Sequence, residues 1–260
     1  MMNKKEKNYI SLIIIIFILS FVFYFIGIRP KESKLKLEDK TKEISEAKKY
    51  GDSVVGWLTV EGTNIDLPLI EVTDKTNVDR RDYNYAWIYA HPDEKSNHVS
   101  YISHNIRNVS RKPIIGDNTM TGFEQLLSFI YPSFVEDNQY IAYTDVNNNK
   151  AIYKIYSVSL VENDQSASFK DIYTSAEQKA YIEKAKKNSM YDIDVDVNED
   201  DKLLSLMTCT RFYGGDSYSF IVDARKLRDN EKQTISEAST NKNYKKIVKR
   251  MKEGDTNEEV

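Results

Sequence analysis

"YIAYTDVNNNKAIYKIYSVSLVE", residues 140–162, sets two runs rich in aliphatic and aromatic residues on either side of a polar Asn-rich segment. Short apolar runs that alternate and end at Asn and Asp read as strands, and the segment between them reads as a hairpin turn. The same pattern recurs outward in both directions: "VVGWLTVEGTNIDLPLIEV" at 54–72, "HVSYISHN" at 98–105 and "DSYSFIVDARKL" at 216–227. Two stretches read as helices. "TGFEQLLSFIYP" (121–132) is stopped by Pro132, and "SAEQKAYIEKAKKNS" (175–189) has Ser175 as a candidate cap with Glu177 in the first turn. About 175 residues with seven or eight strands and few helices predict one mainly β domain, a barrel or a sandwich, with enough chain for a real core.

The flanks differ in composition. Residues 9–28 are uncharged, aliphatic and aromatic, a length of about 20 residues that crosses a bilayer core as a helix. A cleaved signal peptide needs a shorter apolar run and a small-x-small site, and Phe23, Tyr24, Phe25 and Ile26 stand where that site belongs. An uncleaved transmembrane anchor is therefore the expectation. Lys4, Lys5 and Lys7 put residues 1–8 in the cytoplasm by the positive-inside rule, against a weaker bias from Arg29, Lys31 and Lys34, and the rest of the chain outside. Residues 29–50 are charged helix formers, expected to make a helical stalk or a packed N-terminal helix. The domain itself spans 51–227, and residues 228–260 are polar enough to predict a mobile tail or a marginal solvated helix around 243–252.

A net charge of -3 from 37 basic and 40 acidic residues carries no nucleic-acid signature. "IIGDN" and "YGGD" lack the strand-to-helix setting of a phosphate loop. Trp57 and the tyrosines read as packing. Cys209 is the chain's one cysteine; outside the cytoplasm a lone thiol is either a reactive group or half of an intermolecular bond, and the alternative is a buried small hydrophobe. A thiolate nucleophile needs a cation or base beside it. Of the three histidines, His104 ends an alternating run, where a side chain reaches a cleft, whereas His91 and His98 lie in turn-like sequence and read as surface residues.

"LLSLMTC" (203–209) resembles the Thr-Leu-x-Thr-Cys signature of sortases, with Ser205 in the first position and Leu206, Thr208 and Cys209 matching. "YISHN" (101–105) is similar to that family's Tyr-Gly-His-Asn segment, with Ser103 in place of glycine. "GWLTVEGTNIDLPLIEV", "GFEQLLSFI" and "LVENDQ" follow class B sortases in order and spacing. The resemblance implies a closed eight-stranded β-barrel with a few peripheral helices behind a transmembrane anchor at a Gram-positive-type surface. It implies a cysteine transpeptidase that cuts an Asn-Pro-x-Thr-x sorting signal through a Cys209 thioester, with His104 as the acid, and passes the protein to a peptidoglycan amine. No metal or cofactor enters that chemistry. The resemblance also marks Leu206, Thr208, Asn105 and Tyr213 as candidate substrate-binding residues.

Sortases carry a third functional residue, an arginine on the strand after the cysteine; aligned on "SFIVDAR" (219–225), that position is Ser219. Arg225 lies six residues further along, roughly 20 Å away at about 3.3 Å per residue, out of reach. Arg211 is the candidate replacement. Two residues beyond Cys209 in extended backbone, it shares the cysteine's face and can offer two hydrogen bonds to an oxyanion; Tyr213 and Tyr218 are weaker donors. The segment "NIRNVSRKPIIGDNTM" (105–120) suggests a groove wall beside His104. Two other readings stay open: an L,D-transpeptidase, disfavoured by Met207 and Thr208 where that family has His-Gly, and a degenerate sortase-fold binding module, which Ser219 and Ser103 would suit.

Overall fold

The 140–162 stretch forms the predicted hairpin, from β5 (Tyr140–Asp145) to β6 (Lys150–Glu162). Its turn is built by Asp145, whose carboxylate accepts the backbone N–H groups of Asn147 and Asn149 and the Asn149 side chain, while Asn148 takes a left-handed φ of 63°. Asparagine tolerates that region better than most residues. The protein is seen in a computed structural model that describes residues 31–50, 53–71, 79, 81–88, 97–105, 122–162, 174–210 and 218–254, with Tyr9, residues 13–18 and Phe21 ahead of them.

The remaining strands are β1 (Val54–Val60), β2 (Asp66–Ile70), β3 (Ala86–Ile88), β4 (His98–Ile102), β7 (Tyr191–Ile193), β8 (Leu203–Thr210), β9 (Tyr218–Lys226) and β10 (Ala238–Thr240). Eight of them close into a barrel in the order β1-β2-β3-β4-β8-β9-β6-β5, and β7 pairs with β10 beside it. The barrel alternative is thus the observed one, with β4 and β8 running parallel.

Side chains alternate across each strand, and the two faces of the β4-β8-β9-β6 section differ. Inward, Tyr101, Leu204, Leu206, Val222, Phe220 and Val158 join the main core. Outward, cross-strand partners form three rows. The first is polar: Ser100, Ser205, Asp223 and Ser157. The second is mostly apolar, with Ile102, Met207, Ile221 and Ser159, and the third contains Cys209, Ser219 and Val161.

Helices cover parts of the outer face. In α1 (Thr41–Ala47), Ile44 and Ala47 pack on Val54, Ile70 and Trp87. The 121–132 prediction is corrected in form: residues Glu124–Ile130 make a 3-10 helix, and Pro132 opens α2 (Pro132–Val135) rather than stopping a helix, as its fixed φ and missing N–H suit a first helical position. In α3 (Ser175–Asn188) the cap is Thr174, not Ser175; its side chain accepts the Glu177 N–H while Glu177 accepts the Thr174 N–H, a capping box.

The chain divides into two compact units, 1–32 and 33–260. Of the expected anchor, Tyr9, residues 13–18 and Phe21 are described; they are exposed and helical. Among the described residues no helix is long and apolar enough to cross a membrane, and the rest of 9–28 lies outside them. In the second unit, residues 33–35 run to Glu61, which accepts the backbone N–H groups of Lys34 and Leu35, and Lys40 pairs with Asp66 at 2.9 Å.

For residues 228–254 the mobile-tail alternative does not hold, and a helix is found where one was expected, over Lys242–Gly254. β10 adds to β7, Gln139 exchanges two hydrogen bonds with Ser236, and α4 (Lys242–Gly254) buries Ile247 in the main core. Arg225, 3 % exposed, makes a two-pronged pair with Glu231 at 2.6 and 2.7 Å. Backbone pairing and buried ion pairs dock a segment whose composition is polar.

Candidate active site

In β8 seven of eight residues are buried, and the exception is Cys209, which is exposed. That excludes the buried-hydrophobe reading of the thiol. The strand's inner face fixes Leu204, Leu206 and Thr208 in the interior; two residues past the apolar Met207, Cys209 emerges at the strand's end.

His104 reaches the same level from β4. The parallel register pairs Ile102 with Met207, and contacts continue beyond β4: Ser103 N–H donates to the Met207 carbonyl at 3.4 Å, Thr208 Oγ1 donates to the Ser103 carbonyl at 2.9 Å, and Asn105 Nδ2 donates to the Cys209 carbonyl at 3.2 Å. Carrying the register two residues onward sets His104 level with Cys209, both on the outer face. A thiol and an imidazole on adjacent strands are the elements needed for a thiolate nucleophile and a proton donor.

Three surroundings hold His104. Its ring lies against Tyr83, centroids 4.9 Å apart at 59°. Its carbonyl accepts the Phe123 N–H at 3.0 Å. Ser103, where the resembled motif has glycine, is 1 % exposed and donates its hydroxyl to the Tyr85 carbonyl at 2.9 Å, so the added side chain ties the end of β4 to the segment leading into β3. The sequence reading missed Tyr83; it lies outside any motif, and only the fold brings it to the histidine.

The other predicted site residues divide. Leu206 and Thr208 are 0 % exposed, so the expectation that they bind substrate is corrected: strand alternation turns them away from the face of Cys209. Asn105 is 6 % exposed and donates its side-chain N–H to the Cys209 backbone carbonyl. Ser219 is the direct cross-strand partner of Cys209, as aligning "SFIVDAR" expects. Arg225 pairs with Leu203 at the far end of the same ladder and is engaged by Glu231. Arg211, Tyr213, His91 and residues 106–120 lie outside the described residues.

His98 corrects a further expectation. It is 1 % exposed, stacked on Tyr181 of α3 with centroids 4.5 Å apart, and its Nε2 is 2.7 Å from Ser205 Oγ. Ser205 donates in turn to Asp223 at 2.6 Å, as does Tyr181 at 2.7 Å. Burial pushes the His98 pKa down to about 3 and raises that of Asp223 against hydrogen bonds that lower it. This network lies two rows from Cys209 and fastens α3 to the sheet. Among the described residues no group of three or more His, Cys, Asp or Glu side chains is arranged to hold a metal.

No protein-family model matches the chain. Sortase B of Staphylococcus aureus is 22% identical over 185 residues, 69% of this chain and 72% of that protein. Sortase B of Listeria monocytogenes is 24% identical over 182 residues, 64% of this chain and 67% of that protein. Among solved structures, Clostridium perfringens sortase B superposes with a TM-score of 0.59 at 21% identity, covering 71% of this chain and 99% of that one. A Staphylococcus aureus sortase B–substrate complex gives 0.57 at 18% identity, covering 72% and 86%. In sequence and in fold alike, the chain resembles the class B sortases.

Proposed function

We propose that the protein is a membrane-anchored cysteine transpeptidase of sortase B type. It cleaves an Asn-Pro-x-Thr-x sorting signal of secreted surface proteins and joins them to a peptidoglycan amine. The observation that carries this reading is the exposed Cys209 at the level of His104. The Cys209 thiolate attacks the threonine carbonyl carbon, the scissile C–N bond breaks, and the departing amine takes a proton from His104, leaving a thioester. An acceptor amine then attacks that carbonyl, the C–S bond breaks as the new amide forms, the amine's proton passes to His104, and the Cys209 thiolate is regained. Arg211 is assigned to the oxyanion in place of the arginine that Ser219 replaces. Structures of sortase B with a substrate and with triglycine support the substrate and amine classes by analogy. The N-terminal run of 9–28 is the anchor, with residues 1–8 in the cytoplasm and the barrel outside.

A second reading, a sortase-fold binding module without turnover, is favoured by Ser219 standing where the family arginine belongs. Intact mass of residues 29–260 after incubation with Asn-Pro-x-Thr-x peptides, with no acceptor amine, separates the two. The transpeptidase gives an adduct equal to the N-terminal peptide fragment, absent in Cys209→Ala. No adduct across a panel of signals, together with slow alkylation of Cys209, supports the binding module.

A further inference from the structure

Tyr83 belongs to neither strand of the site, yet it meets His104 directly through its ring and is linked to it through the backbone of residues 122–123. Its ring packs on the imidazole at 4.9 Å between centroids. Its carbonyl accepts the Gly122 N–H at 2.9 Å, and the next residue, Phe123, donates its N–H to the His104 carbonyl at 3.0 Å. One backbone corner at 122–123 thus clasps both residues.

That corner demands glycine. Gly122 has φ +49°, and a Cβ there would stand 2.6 Å from the His104 carbonyl oxygen, 3.2 Å from Ser103 Oγ and 3.2 Å from Tyr83 Cδ1. The absence of a side chain lets the corner press against the histidine backbone while the Tyr83 ring closes one side of the imidazole. Ser103, bonded to the Tyr85 carbonyl, ties the strand bearing His104 to the segment bearing Tyr83.

We propose that Tyr83 is a positioning residue: seated by Gly122, its ring limits rotation of the His104 imidazole and holds it toward Cys209, and its π face favours the imidazolium that donates the proton. Aromatic pairs have preferred geometries, and a cation near a tyrosine ring is stabilised. The inference rests on the proposed thiol chemistry, but its test does not require turnover.

The test is the pH profile of Cys209 alkylation by iodoacetamide, followed by mass spectrometry on the full-length chain, for wild type, Tyr83→Met and Tyr83→Phe. A well-placed imidazolium lowers the thiol's apparent pKa; Tyr83→Met fills the volume without a ring and moves the profile upward, toward the ordinary cysteine value of about 8.5. Tyr83→Phe, which restores the ring, returns it. Acyl-adduct formation in Tyr83→Met falls about tenfold or more, as displaced catalytic groups do. An unmoved profile in Tyr83→Met overturns the proposal. Where Tyr83→Met does not fold, Tyr83→Leu serves instead: it too removes the ring and shifts the profile the same way, and an unmoved profile in that folded variant overturns the proposal equally. Wild type that forms no adduct with any peptide, while the profile still shifts in Tyr83→Met, overturns the Asn-Pro-x-Thr-x signal and leaves the positioning role standing.

Discussion

Ser219 stands directly across the β8–β9 ladder from Cys209, and it is 3 % exposed. A serine there offers one short hydroxyl where a guanidinium would reach past the thiol to a developing oxyanion. Its partner on the other side is Val161, whose side chain has no polar group to lend, and in the proposed mechanism the guanidinium therefore comes from another segment.

Arg211→Ala is therefore expected to slow acyl-adduct formation by about tenfold or more, toward the range seen when an oxyanion donor is lost. Ser219→Arg is the reciprocal measurement, with no gain in rate expected. Wild-type rates in Arg211→Ala, or a large gain in Ser219→Arg, would remove Arg211 from the mechanism.

Asn105 acts on the nucleophile's backbone. Asn105→Ala removes the hydrogen bond to the Cys209 carbonyl and is expected to slow adduct formation about tenfold through a displaced thiol, while binding of a non-cleavable signal peptide stays within about twofold. An equal loss in binding and rate would make Asn105 a substrate contact after all.

His98 gives a pH signature. Its folded pKa is pushed down from 6.5 to about 3 by burial, so below 6.5 the unfolded chain takes up a proton that the folded one refuses. The stabilisation from neutral His98 is complete above about pH 6.5 and is lost as pH falls toward 3, by up to about 1.4 kcal/mol per pH unit. Asp223 has the opposite sign: its raised pKa keeps a proton on the folded form, and that contribution is lost as pH rises through the folded value. Urea unfolding of wild type and His98→Phe between about pH 4 and 7 separates them. The wild-type curve should fall more steeply toward acid than the variant's, and parallel curves would show that His98 protonates without cost in the fold.

Residues 228–260 are expected to be needed for stability. Ending the chain at Leu227 removes Glu231 from the buried Arg225 and Arg228 from Asp201, along with β10 and Ile247. An uncompensated buried charge alone costs about 3–5 kcal/mol. A truncated protein that unfolds at the same urea concentration as the full domain would restore the tail to a spectator.

Much of this molecule is legible in its residues. The hairpin at 140–162 follows from alternation and an Asn-rich turn, and the choice of Cys209 and His104 as candidate site residues follows from two motifs. The inward turn of Leu206 and Thr208 was also legible, since residues one and three before an outward cysteine on a strand must face the other way. His98 was not: its burial depends on Tyr181, which arrives from a helix far along the chain, and turn-like neighbours hide that. The docking of 228–254 was hidden for a different reason. A strand added at an edge is held by backbone groups that every sequence has, and Arg225 needs a partner that composition cannot name.

The polar row of Ser100, Ser205, Asp223 and Ser157 has a consequence at the other end of the same strands. A slip of β8 by one residue against β4 and β9 would set leucine beside Ser100 and Asp223, leaving a buried carboxyl without its serine. The same slip would turn Cys209 into the barrel and expose Thr208. Correct alignment is thus checked by one set of side chains and used by another, further along β8. A chain that settles in the wrong alignment is unstable and also lacks an outward thiol, so folding itself acts as the proofreading step for the nucleophile.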